Sequence, residues 1–64
     1  MGELRALSSA YALSTSDVLI DARLLEHWQA PIDELYAELM RRHHWAINGA
    51  QAYVAQLRRV LRVR

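Results

Sequence analysis

The chain contains no cysteine. That excludes a disulfide framework and any thiolate metal site, so no covalent or thiolate staple supplements the core. Lysine and phenylalanine are also missing: the basic residues are all arginine, and the aromatics are tyrosine and tryptophan. The arginine bias reads first as GC-rich coding composition and second as selection for bidentate phosphate or carboxylate contacts. Only Gly2 and Gly49 supply glycine, so no glycine-rich phosphate loop can form. No apolar run exceeds four residues, far below the roughly 20 that span a bilayer as a helix. The first residues lack the basic and apolar regions of a secretory signal, and Ala6 stands where a myristoylation motif needs Ser or Thr. The expectation is a cytoplasmic protein with no membrane span.

At 64 residues, the chain is one small helical domain near the lower limit at which a single core folds unaided. Its near-neutral net charge of +1 hides an asymmetry. Residues 1–34 set Arg5 and Arg23 against six acids, a net −4, whereas residues 35–64 set six arginines against Glu38 alone, a net +5. The two halves can neutralise each other by packing together, or the basic half can face an acidic partner or nucleic acid.

Leu4, Leu7, Ala10 and Tyr11 share one face of a short first helix over residues 3–12, which is too short to persist undocked. Ser14 followed by Asp17 resembles a capping box and starts a second helix at Thr15, expected to run to Gln29. Val18, Ile20, Ala22, Leu24, Leu25 and Trp28 give that helix a broad apolar arc. Asp21 falls inside the arc, as a carboxylate reaching water at its edge or as the partner of an arginine from the basic half. Ala30-Pro31 ends the second helix and opens a third at a tight corner, with Asp33 and Glu34 complementing its dipole.

From Tyr36 onward an apolar seam recurs at Met40, His43, Ile47, Ala50, Val54, Leu57 and Leu61, in alternating steps of four and three. Leu39, Ala46, Tyr53 and Val60 widen it on one flank, which suits a bundle better than a two-stranded coiled coil. Asn48-Gly49 is a turn signal within this stretch, yet the seam passes through it without a change of phase. The favoured reading is one helix from Pro31 to Val63, bent or broken at Asn48-Gly49 if anywhere. A continuous helix of that length would measure ~50 Å at 1.5 Å per residue. The fold class is therefore all-α: a short N-terminal helix, then a helical hairpin with a long C-terminal helix, packed as a bundle.

Nothing assembles into catalytic chemistry, and no cofactor is implied. The serines lie at caps and turns without a base at suggestive spacing, and Glu34 and Glu38 share an exposed face. His43 and His44 are adjacent and diverge by about 100° on a helix, whereas helical metal ligands sit three or four residues apart. His43 reads instead as a core-edge histidine bonded to a polar neighbour. The main functional expectation is a non-enzymatic protein–protein interaction module, binding itself or another protein through Trp45, Ile47, Ala50, Tyr53, Val54, Leu57, Val60 and Leu61. The alternative is a nucleic-acid-binding regulator using Arg58, Arg59, Arg62 and Arg64. Against it stands the absence of any recognisable helix-turn-helix turn with a helix behind it.

Overall fold

The computed structural model describes residues 2–63, with backbone alone at residue 63. Four helices follow one another: α1 (Glu3–Ala10), α2 (Thr15–Glu26), α3 (Ile32–His43) and α4 (Ile47–Val63). They fold into a body of 30 × 22 × 17 Å with a radius of gyration of 10.8 Å, close to the ~11 Å expected of a compact 64-residue chain. The all-α bundle is as expected, but the single ~50 Å C-terminal helix that was expected is replaced by two, α3 and α4.

Local chemistry explains the N-terminal half. Ser14 caps α2, its hydroxyl accepting the Asp17 amide at 3.0 Å. That fills one of the four donors a helix start leaves open, and Asp17 complements the dipole in the same turn. The helix stops at Glu26, three residues short of the expected end at Gln29. Residues 27–31 form a connection in which the Trp28 indole N–H donates to the Pro31 carbonyl at 3.2 Å. Pro31 is the N-cap of α3 with φ −56°, and Asp33 and Glu34 occupy the first turn. The corner thus has a spacer that the sequence reading did not allow.

Helix α2 also faces inward differently from the expected arc. Val18, Asp21 and Ala22 are buried, Leu25 is half-buried, and Leu19 and Ile20 are exposed at 42% and 49%. Positions 18, 21, 22 and 25 form one narrow stripe at helical spacing, so Ile20 is excluded and Asp21 points to the core. Against that stripe pack Leu7, Leu35, Leu39, Ala50, Tyr53, Val54 and Leu57.

The C-terminal half breaks, and not at Asn48-Gly49. Helix α3 ends at His43, and His44 adopts the left-handed conformation with φ 60° and ψ 45°. The Met40 carbonyl accepts the amides of both His44 and Trp45, which closes the helix end. Residues 44–46 form the connection, and Asn48 and Gly49 lie inside the first turn of α4. An unslipped seam is therefore weaker evidence for continuity than it looks. Two helices that bury their stripes in one common core can keep the same heptad phase across a three-residue connection while the axis changes direction.

Two substitutions separate these geometries. Gly49 lies within a helix, and a Cβ there meets Trp45 Cβ at an ordinary 3.5 Å. Gly49→Ala should stabilise by about 1 kcal/mol in urea unfolding, whereas at a helix end requiring positive φ it would destabilise. His44→Gly should be neutral or stabilising by up to about 1 kcal/mol, because glycine enters the left-handed region without a Cβ penalty. A loss of about 1 kcal/mol, as for glycine in a helix interior, would contradict the turn.

Candidate functional site

The connection between α3 and α4 is held from beneath by a buried polar centre. Asp21 on α2 has a fully buried side chain. Its Oδ2 accepts the Tyr53 hydroxyl at 2.6 Å from α4 and the His43 Nε2–H at 2.9 Å from the last residue of α3. Its Oδ1 is buried without a hydrogen bond, and Arg42 Nη1 stands 3.6 Å away as a partly exposed counter-charge. One carboxylate thus ties the end of α3 and the middle of α4 to α2. The expected alternatives for Asp21 were water or an arginine. The structure gives it an arginine at the rim and two ring donors inside.

Aromatic packing closes the same region. The Trp45 ring lies 5.3 Å from Tyr11, 4.5 Å from His43 and 4.8 Å from Tyr53, centroid to centroid. Tyr11 also meets Tyr53 edge-on at 5.0 Å. Such tilted and edge-on contacts are the favoured aromatic geometries, each worth about 0.5–1.5 kcal/mol beyond area burial. Trp45, expected on the interaction surface, is half-buried and covered by Tyr11 at the C-cap of α1.

Desolvation raises the Tyr53 hydroxyl pKa well above the usual tyrosine range, and the hydrogen bond to Asp21 adds to the rise. The hydroxyl therefore stays protonated and donates. This centre is enclosed within the helices and serves as a fastener.

With the inner side so fixed, α4 presents a clean outer face. Ala50, Tyr53, Val54 and Leu57 are buried, and Val60 and Leu61 are half-buried against the core. These six residues were expected to need another chain; the chain's own helices cover four of them completely. Ile47 remains 42% exposed. The opposite arc carries Asn48, Gln51, Ala52, Ala55, Gln56, Arg58, Arg59 and Arg62, all exposed. No acid occurs on α4. Of the expected arginine stripe, Arg58, Arg59 and Arg62 are presented together, and Arg64 lies outside the described residues. Arg41, paired with Glu38, and exposed His44 stand at the α3 end of the connection.

Two shallow grooves flank this face. The larger, about 710 Å³, runs between α1 and α4 and is lined by Ala6, Leu7, Ala10, Tyr11, Arg59 and Val60 among others. The smaller lies between α2 and α4, beside Leu25, Glu26, Arg58, Leu61 and Arg62. Among the described residues, no three histidine or acidic side chains gather into a metal-binding group. No described helix is long and apolar enough to cross a membrane.

Sequence reasoning anticipated a polar partner for His43 and offered an arginine for Asp21, but missed that Tyr53 joins them in one centre, and it missed the short turn after α3. One signal was available for the first: Val18, Asp21, Ala22 and Leu25 are spaced as a buried stripe, and a buried tyrosine needs a partner for its hydroxyl. Comparison with protein-family models, curated proteins and solved structures finds no match.

The raised Tyr53 pKa makes a directional prediction. Unfolded tyrosine ionises near pH 10, so below that pH both states hold the proton and the contribution to stability is complete. Above it the unfolded chain holds one proton fewer, and this site lowers stability by about 1.4 kcal/mol per pH unit as the pH climbs toward the folded-state pKa. Tyr53→Phe should remove that alkaline slope and cost about 1–3 kcal/mol at neutral pH, since Asp21 loses a donor. Urea titrations between pH 7 and 11 measure both effects; an unchanged alkaline slope in the variant would contradict the assignment.

Proposed function

We propose that the chain is a small, non-enzymatic nucleic-acid-binding module that works through the outer face of α4. The observation that carries this reading is the division of α4 into a buried apolar side and an exposed side rich in amide and guanidinium groups and free of acid. Phosphate backbones draw arginine by charge and by counterion release, and amide side chains are common partners of phosphates and bases. The turn of residues 44–46 removes the objection that no helix follows a short turn. The competing expectation, a protein interface along the apolar seam, loses its main surface, because Ala50, Tyr53, Val54 and Leu57 lie in the chain's own core.

A protein partner retains one supporting observation of its own. Leu19 and Ile20 are large, exposed and adjacent on α2, and such a pair is a candidate contact for a second chain. Self-association through them is compatible with nucleic-acid binding, since many readers of duplex DNA are dimers.

Fluorescence anisotropy with a labelled duplex at low salt tests the proposal. Binding should weaken linearly on a log–log plot against salt, with a slope of about −0.9 for each phosphate engaged. Replacing Arg58, Arg59 and Arg62 together by alanine should flatten the slope by about 2–3 and leave the helical circular dichroism intact, because all three are exposed. If neither duplex nor single strand binds at low salt, the reading fails. A sedimentation result showing a dimer alongside that failure would move the function to a protein interface.

A further inference from the structure

We propose that α3, the connection at residues 44–46 and α4 form a helix-turn-helix reader of duplex DNA, with the N-terminal half of α4 lying in the major groove and Asn48 and Gln51 facing base edges. This rests on the nucleic-acid reading above and goes beyond it, because phosphate contacts alone carry no sequence information.

The connection is the first ground. Two helices of 12 and 17 residues are joined by three residues, the first of them left-handed. A turn of three or four residues, often with glycine supplying positive φ, joins the two helices of the DNA-binding motif. Here His44 takes the left-handed position. The burial pattern agrees with a braced turn: Leu39 before it and Ala50 and Tyr53 after it are buried, and Trp45 within it is half-buried. The bond from His43 to Asp21 and the bond from Tyr53 to Asp21 fix both helices to α2 on either side of the turn. A reading helix must be held at a set angle, and this brace supplies that.

The second ground is what α4 exposes, and in what order. Asn48 and Gln51, three residues apart at the second and fifth positions of α4, share the outer arc with the small residues Ala52 and Ala55. Asparagine and glutamine are the side chains whose amides match the N6/N7 edge of adenine bidentately. The alanines let the helix approach the floor of the groove. Exposed Ile47 is suited to a thymine methyl, the apolar feature of the same groove. The arginines come later: Arg58, Arg59 and Arg62 lie ten to fourteen residues beyond Asn48, about 15–21 Å along the axis at 1.5 Å per residue. A major groove is ~12 Å wide, so they fall beyond its floor and beside the phosphates of its far wall. Arg41 and His44, at the other end, stand where the near strand would pass. Amides over the bases and arginines over the far backbone match charge to what those parts of the duplex offer.

Selection from a pool of duplexes with a randomised core about two helical turns long, using the purified full chain, tests the assignment. The expected result is enrichment of a short motif containing adenine. Asn48→Ala and Gln51→Ala should each relax preference at a different position, lowering affinity for the selected duplex by roughly 5- to 150-fold. Their salt slope and their affinity for an unselected duplex should stay unchanged. Arg59→Ala should weaken all sequences alike and flatten the slope by about one. Both amide variants sit on the exposed arc, and unchanged thermal unfolding confirms that each one folds.

Duplex binding without enrichment, with the amide variants indistinguishable from the parent, would overturn base reading by Asn48 and Gln51 while leaving the nucleic-acid function standing. Tighter binding to a single strand than to a duplex would overturn it in the same way. Failure to bind either form at low salt removes the underlying function as well.

Discussion

The rest of the structure depends on how the Asp21 carboxylate is satisfied. A charge with no exposed surface costs several kcal/mol unless donors and counter-charge surround it. Tyr53, His43 and Arg42 supply these from two different helices. If Tyr53 or His43 is moved, the carboxylate is left one donor short in a low-dielectric interior. The centre therefore tolerates few arrangements of α2, α3 and α4. Leucine or methionine in place of Asp21 would bury more apolar surface, yet would accept many small shifts of one helix on another. With nine buried apolar residues among those described, the core is small, and a polar centre of this kind is suited to favouring one arrangement.

The aromatic cluster is the second half of that constraint. Tyr53 belongs to both, donating to Asp21 through its hydroxyl and packing edge-on against Tyr11 and Trp45 with its ring. Through Tyr11 the N-terminal helix, only eight residues long, is drawn onto α4. An isolated helix of that length is marginal in water. Its order is thus borrowed from the same tyrosine that sets the position of α4, and the two ends of the chain are structurally linked.

How much of this was legible follows from how local each cause is. Ser14 with Asp17, and Pro31 with Asp33 and Glu34, act within one helical turn, so the sequence carries them openly. The buried side of α4 was legible as well, since Ala50, Val54 and Leu57 repeat at helical spacing. What covers that side was not legible, because periodicity shows that a face is apolar but not which chain lies against it. The break at His44 was hidden for a different reason. Histidine enters the left-handed region more often than most residues but far less readily than glycine, and here the Met40 carbonyl closes the helix by accepting the His44 and Trp45 amides while Trp45 packs on Tyr11 and Tyr53. Asn48-Gly49 has the local chemistry of a turn and lies in a helix, because Trp45 packs over Gly49 and the core continues through Ala50. Asp21 was ambiguous from its neighbours alone, as its inner partners are 22 and 32 residues away.

Those separations also bear on the order in which the chain folds. Contacts within a helix link residues three or four apart, whereas the bonds at Asp21 close loops of 22 and 32 residues. The fastener is thus expected to engage late, after the folding barrier has been crossed, so its strength governs how slowly the native state opens more than how quickly it forms. One carboxylate is thus expected to lengthen the life of the native state without slowing the folding that local contacts allow.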